Sequence, residues 1–225
     1  MVRPARTAAV VPARNEESTV GATVRALRAL AIDEVVVVDD ASTDATATAA
    51  LAAGATVIRI PRRAGKGTAM EGALRRLPDA DLWVFADADL GGSASGLGAL
   101  LDACARGADL AIAVLPPQEG AGLGSVRRFA AWSIRRLGGV RVSAPLSGQR
   151  AVTKACLGAV RPLANGFGVE TAMTIDAARA GFRVEEVPVP GLRHRPTGRG
   201  LRGFTHRGRQ GMEIARAVLA RARRR

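Results

Sequence analysis

The sequence predicts an α/β fold in which a mostly parallel, Rossmann-like sheet is flanked by helices on both faces. Short apolar runs alternate with segments of helical spacing through residues 8–115, which is the βαβαβ rhythm of such sheets. Four consecutive valines, Val35 to Val38, indicate a strand that is buried on both of its faces. Hydrophobic residues make up 48% of the 225 residues, so the chain has enough apolar surface to bury a core.

The first half of the chain supplies its elements in a regular order. One helix is expected behind Ser18 as its N-cap, and a second behind Thr43 or Asp44, ending at Gly54 as its C′ glycine. Strands are expected at residues 8–11, 35–38, 56–60, 82–86 and 110–114, and further helices at 68–77 and 97–105. Ligands of such sheets bind beyond the carboxyl ends of the strands, so the informative residues are those that directly follow a strand.

The second half is less regular. Residues 116–124 are rich in Pro and Gly and predict a loop. Helices are expected at 126–137, at 170–180 and from about 203 to the end, and strands at 147–154 and 183–189. Neither an internal repeat nor a linker followed by a second core is visible, so residues 1–225 are interpreted as a single domain.

The charge is concentrated at one end of the chain. Lys and Arg number 33 against 20 Asp and Glu, a net charge of +13, and residues 179–225 alone hold 13 basic and 3 acidic side chains, a net +10. Such a block attracts phosphates, nucleic acid or anionic lipid, although it also fits a solvated arginine bias. Because aromatic residues make up only 3% and Tyr is absent, a single-strand nucleic-acid binder is the weaker interpretation.

Composition also indicates the cellular compartment of the protein. Two cysteines, Cys104 and Cys156, supply neither a disulfide scaffold nor a four-cysteine zinc site. No apolar run reaches the roughly 18 residues that cross a bilayer, and no signal-peptide core follows the first arginines. A cytoplasmic protein is expected, and contact with the inner face of the membrane is left open.

The strongest chemical signal is a pair of carboxylates at the end of the fourth predicted strand. Asp87 and Asp89 stand one residue apart behind Phe85 and Ala86. Two acids in this arrangement bind one hard cation, which in turn clamps a diphosphate and neutralises its charge as it leaves. The plain structural alternative is a pair of solvated acids at a strand end.

Three more polar segments follow predicted strands, at residues 11–17 (Val-Pro-Ala-Arg-Asn-Glu-Glu), 38–44 (Val-Asp-Asp-Ala-Ser-Thr-Asp) and 62–67 (Arg-Arg-Ala-Gly-Lys-Gly). An acid such as Asp39 accepts hydrogen bonds from a base or a ribose, and Lys66 between two glycines suits a phosphate. Helix capping and dipole compensation explain the acids of the first two segments equally well.

Taken together, the four segments resemble the ordered motifs of family-2 glycosyltransferases with the GT-A fold, and the resemblance covers about residues 8–210. Residues 146–151 (Leu-Ser-Gly-Gln-Arg-Ala) are similar to the acceptor-side segment of that family, and residues 166–170 (Gly-Phe-Gly-Val-Glu) to the segment whose acid contacts the donor sugar. Residues 187–189 with His194 and Arg195 are similar to the strand and basic loop over the diphosphate. The nearest branches are polyprenyl-phosphate mannose/glucose synthases and glucosyl-3-phosphoglycerate synthases.

The resemblance implies a role for each matching residue. Asp89 and Glu170 become the catalytic residues, and Glu170 binds sugar hydroxyls. A divalent Mg or Mn ion is held by Asp87, Asp89 and His194. The nucleotide-sugar contacts are implied for Pro12, Ala13, Arg14, Glu16, Asp39, Lys66, Asp87, Arg193 and Arg195. The acceptor side is implied for Ser147, Gly148 and Gln149.

These roles divide the domain into a nucleotide-sugar-binding half (8–115), an acceptor-side half (116–210) and a basic tail (211–225). Three departures from the nearest branches stand out. Arginines replace the lysine of the polyprenyl branch's basic loop, the hydrophobic tail of some members of that branch is absent, and so are the long insertions typical of the phosphoglycerate branch.

The expected function is therefore metal-dependent transfer of a hexose from a UDP- or GDP-linked donor to a phosphorylated small molecule or a polyprenyl phosphate. One alternative is a sugar nucleotidyltransferase, which needs a glycine-rich loop after the first strand that residues 12–17 do not supply. The other is a non-catalytic module that binds nucleic acid or an anionic membrane through the basic tail. A peripheral membrane contact and a homodimer are left open.

Overall fold

One sheet organises the chain. The computed structural model describes residues 6–116, 124–194 and 201–223, and the side chains of 201–210 are not described. Within these residues seven strands form a single sheet in the order β3-β2-β1-β4-β6-β5-β7. The strands are β1 (Thr7–Ala13), β2 (Glu34–Asp40), β3 (Thr56–Ile60), β4 (Leu82–Phe85), β5 (Leu110–Val114), β6 (Arg150–Thr153) and β7 (Val184–Pro188).

Most neighbouring strands run parallel, as the sequence predicts. β1 pairs parallel with β2 and β4, β2 with β3, and β5 with β7. Only β6 is antiparallel to its neighbours β4 and β5 among the described strands. The carboxyl ends of β1, β2 and β4 therefore lie at one edge of the sheet, which is where a ligand binds in this architecture.

Helices cover both faces of the sheet. They are α1 (Val20–Arg28), α2 (Thr46–Ala52), α3 (Lys66–Leu74), α4 (Gly98–Ala105), α5 (Gly124–Gly138), α6 (Lys154–Val160), α7 (Val169–Arg179) and α8 (Leu201–Ala222), with 3₁₀ turns at Gly91–Leu97 and Gly166–Gly168. Along β1, Ala9 and Val11 pack with α1, α2 and α4, whereas Ala8 and Val10 pack with α3, α6 and α7. This alternation follows from the two-residue period of a strand. In β2 the predicted burial on two faces is confirmed, because Val35 and Val37 join the first of these cores and Val38 joins the second.

Most predicted elements are confirmed, and three local predictions are wrong. Helix α1 has Thr19 rather than Ser18 at its N-cap, and no side chain caps it there. Helix α2 has Ala45 at its N-cap, and not Thr43 or Asp44. Residues 154–160 form α6 directly behind β6, where the sequence reading extended a strand to Lys154. Of the predicted loop at 116–124, residues 117–123 lie outside the described residues and Gly124 begins α5.

The C-terminal helix is part of the packed body. Ile214, Ala217 and Val218 of α8 are buried, and Ile214 and Val218 join a small core with α5 and α7. Arg221 is 6% exposed, and its Nε donates to Asp176 Oδ2 on α7 at 2.8 Å. At least one arginine of the tail thus neutralises an acid inside the fold.

Gly67, in the first turn of α3, sits against the chain at residues 164–165. A Cβ at this position would overlap the carbonyl oxygen of Ala164, whereas one at Gly72 in the same helix would meet no atom within 4 Å. We expect Gly67→Ala to lower the free energy of unfolding by about 1–3 kcal/mol, because the backbone must move. Gly72→Ala is the matched control and should raise it by about 0.5–1 kcal/mol. If thermal and urea unfolding gave the same change in stability for Gly67→Ala and Gly72→Ala, this packing would be contradicted.

Glu71 joins α3 to the chain after α6. Its carboxylate accepts from Arg161 Nη2 at 2.9 Å and from the Leu163 amide at 3.1 Å. Burial alone would raise the pKa of Glu71, but the hydrogen bonds from Arg161 and Leu163 outweigh it and hold this pKa below its ordinary value of 4.5. The stabilisation is therefore complete above that pH and is lost as the pH falls through the lowered folded-state pKa.

We expect Glu71→Gln to cost about 1–3 kcal/mol of unfolding free energy at pH 7. The deficit should narrow when unfolding is measured at successively lower pH below 4.5, the ordinary pKa of this carboxyl. Arg75→Ala is the control: Arg75 also contacts Glu71 but is 68% exposed, so it should cost only about 0.3–0.5 kcal/mol. A Glu71→Gln deficit that does not change with pH would refute the assignment.

Candidate donor and metal site

A cavity of about 390 Å³ opens at the carboxyl ends of β1, β2 and β4. Seven predicted site residues line it: Pro12, Ala13, Arg14, Glu16, Lys66, Asp87 and Asp89. The sequence reading assigned no site role to several further lining residues, namely Asn15, Asp40, Arg63, Gly65, Ala88, Gly166, Phe167 and Glu213. The first half of the predicted donor pocket is thus brought together at one edge of the sheet.

The turns that follow β1 and β2 interlock. The Asn15 amide donates to Ser42 Oγ at 3.0 Å, and Asn15 Oδ1 accepts from the Thr43 amide at 2.9 Å. Asn15 and Ala41 both have positive φ, 56° and 58°, which is a strained conformation for residues with a side chain. Glu17 Oε2 accepts from the Ala45 amide at 2.9 Å, so this acid serves the start of α2 and not that of its own helix.

The two acids at the end of β2 hold different loops. Asp39 is 5% exposed, and its Oδ1 accepts from the Ser42 amide at 2.9 Å. Asp40 lines the cavity and accepts from the amides of Ala64 at 2.6 Å and Gly65 at 3.0 Å. Asp40 therefore fixes the segment that presents Lys66, and base recognition by Asp39 stays a prediction.

Lys66 joins the two halves of the site. Its Nζ lies 2.6 Å from Asp87 Oδ1 and 2.8 Å from Glu170 Oε1, with the lysine side chain only 15% exposed. Burial alone would lower the pKa of Lys66, but the charges of Asp87 and Glu170 outweigh it and raise this pKa above its ordinary value. The ammonium group is thus a fixed positive charge at neutral pH.

The predicted acceptor-side residues lie against this pair. Gln149 is fully buried, and its Nε2 donates to Asp87 Oδ2 at 2.6 Å. A Cβ on Gly148 would come within 2.5 Å of Lys66 Nζ and 2.7 Å of Asp87 Oδ2, so a side chain here would displace the tips of the ion pair. Ser147 Oγ donates to Gln149 Oε1 at 3.2 Å, which fixes the orientation of the glutamine amide.

Asp87, Asp89 and His194 form the one cluster of three potential metal-ligating side chains found in the described part of the chain. One ligand atom of each lies within 4.8 Å of the others, and His194 Nδ1 is 3.0 Å from Asp89 Oδ1. Two carboxylates and one imidazole are a donor set that suits Mn²⁺ or Mg²⁺.

The electrostatics of the cluster favour a cation. Burial alone would lower the pKa of His194, but the hydrogen bond to Asp89 and the charge of Asp87 outweigh it and raise this pKa. Burial alone would raise the pKa of Asp87, but the positive charges of Lys66 and His194 outweigh it and lower that pKa. Asp87 therefore stays ionised, and the acids attract positive charge to the position of the imidazole.

The loop that carries His194 is tied to the first half of the chain. The Arg193 amide donates to Ser93 Oγ at 3.1 Å, and the Arg193 carbonyl accepts from the same hydroxyl at 3.2 Å. The Arg193 side chain is exposed and is not among the residues that line the cavity. Arg195 lies outside the described residues, so the predicted diphosphate contacts of both arginines stay predictions.

A second cavity of about 170 Å³ adjoins the first. Lys66, Asp87 and Phe167 line both cavities, and Glu170 lines the second. Its remaining walls are apolar: Val126, Leu146 and Ile214. Glu170 thus faces a small, mixed polar and apolar space beside the metal-ligating acids.

Two lining residues had weak sequence signals. Phe167 lies in a segment that the sequence reading singled out for Glu170, and an aromatic side chain between two glycines was the available clue. Glu213 is the one acid in residues 190–225 and was assigned to the tail by the surrounding arginines. A single acid in a basic segment is the signal that could have marked Glu213 as a candidate site residue.

Comparison with known proteins identifies relatives of this chain. The sequence model of Glycosyl transferase family 2 matches residues 8–140. Glucosyl-3-phosphoglycerate synthase of Mycolicibacterium smegmatis is 38% identical over 91 residues, which are 36% of this chain and 30% of that protein. Glycosyltransferase AglJ of Haloferax volcanii is 27% identical over 200 residues, which are 84% of this chain and 63% of that protein. The match to the first of these curated relatives thus spans under a third of its length.

Solved structures match nearly the whole chain. Glucosyl-3-phosphoglycerate synthase of Mycobacterium tuberculosis in complex with Mg²⁺ and UDP has a TM-score of 0.81 and 28% identity, covering 97% of this chain and 79% of that one. The complex of the same enzyme with Mn²⁺, UDP-glucose and phosphoglyceric acid has a TM-score of 0.79 and 27% identity, covering 97% and 80%.

The family model spans more than half of the chain, and the motifs at the carboxyl ends of β1, β2 and β4 are those that carried the predicted resemblance. The sheet, its flanking helices and the Asp-Asp-His cluster agree with that family's GT-A fold and metal site. The resemblance is confirmed, and this chain belongs to glycosyl transferase family 2.

Proposed function

We propose that this chain is a metal-dependent glycosyltransferase that moves a hexosyl group from a UDP-linked donor to an acceptor that carries a phosphate. The observation that carries the proposal is the cluster of Asp87, Asp89 and His194, whose two aspartates line the donor cavity. The Lys66–Glu170 ion pair lies beside it. The solved relatives that hold Mn²⁺, UDP-glucose and phosphoglyceric acid support the same donor, metal and acceptor class.

The side chains of the site suit diphosphate chemistry. A divalent cation bound by Asp87, Asp89 and His194 supplies positive charge where negative charge grows on the departing diphosphate. Lys66 adds a fixed positive charge because its raised pKa keeps it protonated, so it does not act as a proton acceptor. Gln149 and Lys66 hold Asp87 from two sides, which keeps its carboxylate oriented before the donor arrives.

The second cavity is the proposed place of the donor sugar. A hexose presents hydroxyl groups around its edge and apolar C–H groups on its faces. Glu170 offers a carboxylate to hydroxyl groups, while Phe167, Leu146 and Ile214 offer apolar surface to the faces. This division supports the predicted role of Glu170, and the neighbouring Ser147, Gly148 and Gln149 support an acceptor approaching from the same side.

Polyprenyl phosphate is the second candidate acceptor, and the outer face of α5 favours it. Phe129 is 38% and Trp132 53% exposed, with ring centroids 6.2 Å apart. Four arginines of α5 are exposed around this pair, namely Arg127, Arg128, Arg135 and Arg136, and the helix contains no acid. Exposed aromatics among basic side chains suit the surface of an anionic membrane.

This face replaces the tail as the proposed membrane contact. The sequence leaves a contact through the last arginines open, and one of these, Arg221, is buried and paired with Asp176. In the described parts of the chain, no helix has the length and hydropathy needed to cross a bilayer. The proposed contact is a peripheral one through α5, and a homodimer stays a prediction.

Removal of one metal-ligating carboxylate tests the catalytic proposal. We expect UDP-glucose with Mn²⁺ to stabilise the wild-type protein by about 2.7 kcal/mol at a hundredfold excess over its dissociation constant, and to do so only with the metal. Asp89→Asn should abolish both this stabilisation and hexose transfer to phosphoglycerate. Asp102→Asn makes the same charge change at an exposed position of α4 and should leave both unchanged. Retained metal-dependent binding in Asp89→Asn would refute the metal assignment.

Vesicle sedimentation tests the membrane contact. We expect the protein to bind vesicles rich in phosphatidylglycerol but not pure phosphatidylcholine, because the arginines of α5 need anionic headgroups. Replacing Phe129 and Trp132 by Ala should weaken binding by about tenfold, or about 1.4 kcal/mol. Leu51→Ala on α2, which removes a side chain that is 58% exposed, is the control. Wild-type protein that stays in the supernatant at low salt would contradict the proposal.

A further inference from the structure

The C-terminal helix reaches both cavities. Glu213 of α8 lines the donor cavity, and the next residue, Ile214, lines the second cavity. Phe167 lies in the 3₁₀ turn Gly166–Gly168 and is a wall of both. The partition between the two proposed subsites is therefore built from this turn together with a helix whose side chains the sequence reading treated as a tail.

The turn and the helix are packed without space for side chains between them. Gly166 has a φ of +60°, and a Cβ there would overlap the carboxylate of Glu213. A Cβ on Gly168 would come within 2.5 Å of Ala217 Cβ and 2.9 Å of the Glu213 carbonyl oxygen. The glycines on either side of Phe167 thus allow α8 to approach the turn, so the position of Phe167 depends on this helix.

Glu213 makes a directed contact with the turn. The Phe167 amide donates to Glu213 Oε2 at 2.9 Å. Amides at the start of a helix lack partners within that helix, and the dipole there favours a carboxylate. Helix α7 begins at Val169 and carries Glu170 in its first turn, so Glu213 fixes the entry to the helix that presents Glu170.

The negative charge of Glu213 and its hydrogen bond to Phe167 predict different consequences for the site. A carboxylate on the wall of a cavity for a diphosphate repels that diphosphate, so electrostatics predicts that its removal tightens UDP binding. The hydrogen bond to Phe167 predicts a different result, namely loss of the geometry at the sugar end of the donor. Removal of Glu213 should therefore raise the affinity for UDP through the lost charge and lower kcat through the lost hydrogen bond, and these two quantities are measured separately.

We propose that Glu213 is a positioning residue that acts through Phe167 to set the wall between the diphosphate and the sugar of the donor. The C-terminal helix is then a component of the active site that is needed for turnover more than for nucleotide binding. This inference rests on the proposed function of the site, since it assigns the two cavities to the two ends of one nucleotide-sugar.

Two substitutions at Glu213 separate the hydrogen bond from the charge. Glu213→Gln keeps an oxygen that accepts the Phe167 amide, so kcat for transfer from UDP-glucose should stay within about threefold of wild type. Glu213→Ala removes the acceptor and should lower kcat by tenfold or more, while calorimetry with UDP and Mn²⁺ shows affinity that is equal or higher. Met212→Ala, which alters the exposed neighbour on α8, should match wild type in both measurements.

Phe167→Ala gives an independent test that leaves α8 intact. It should reproduce the loss of kcat, and the double variant with Glu213→Ala should lose little more than either single variant, because both changes remove the same wall. If Glu213→Ala does not fold, the comparison of Phe167→Ala with Glu213→Gln still decides the matter. Wild-type kcat in Glu213→Ala or in Phe167→Ala, or equal losses in Glu213→Gln and Glu213→Ala, would overturn the inference. Failure of the proposed function differs, because the wild-type protein itself would then neither bind UDP-glucose with Mn²⁺ nor transfer hexose.

Discussion

The bridge from Lys66 to Asp87 and Glu170 is the interaction on which the rest of the site depends. It joins the start of α3, the end of β4 and the first turn of α7, which come from distant parts of the sequence. Glu170 is 7% and Lys66 15% exposed, so each charge is stable in the fold only because the others compensate it. Gly148 and the buried amide of Gln149 lie directly against this ion pair.

The bridge also prepares the site for the proposed donor, which carries two negative charges. Lys66 is kept charged and Asp87 is kept ionised by each other, so neither group has to change protonation when the diphosphate binds. Preorganised charges of this kind lower the cost of stabilising a transition state, because little reorientation remains to be done. The tight turns around Asn15 and Ala41 serve the same end, since the strain of two positive φ values is held by hydrogen bonds between the turns.

The sequence predicted the elements and the first half of the site because both follow short-range rules. Apolar runs gave the strands, and the polar residues behind them gave the cavity at one edge of the sheet. Consecutive residues of a strand point to opposite faces, so the sequence alone could not decide which of Asp39 and Asp40 faces the cavity. The structure places Asp40 in the cavity wall. The prediction of helix caps failed because it used only neighbouring residues. The Glu17 carboxylate accepts from the Ala45 amide at the start of α2, and such a contact between distant segments is not visible in any local pattern.

Net charge was the least informative guide to the C-terminal segment, because an average over residues hides where each charge lies. Arg221 forms an ion pair with Asp176 inside the fold, and Glu213 lines the first cavity. The exposed arginines with aromatic neighbours belong instead to α5, which the sequence predicts as a helix that carries four arginines. Helix α5 packs on α7 and α8 through Ala130 and Ile134, and its arginines lie on the exposed side. The position of a charge relative to the sheet edge, and not its sign summed along the chain, decides what it recognises.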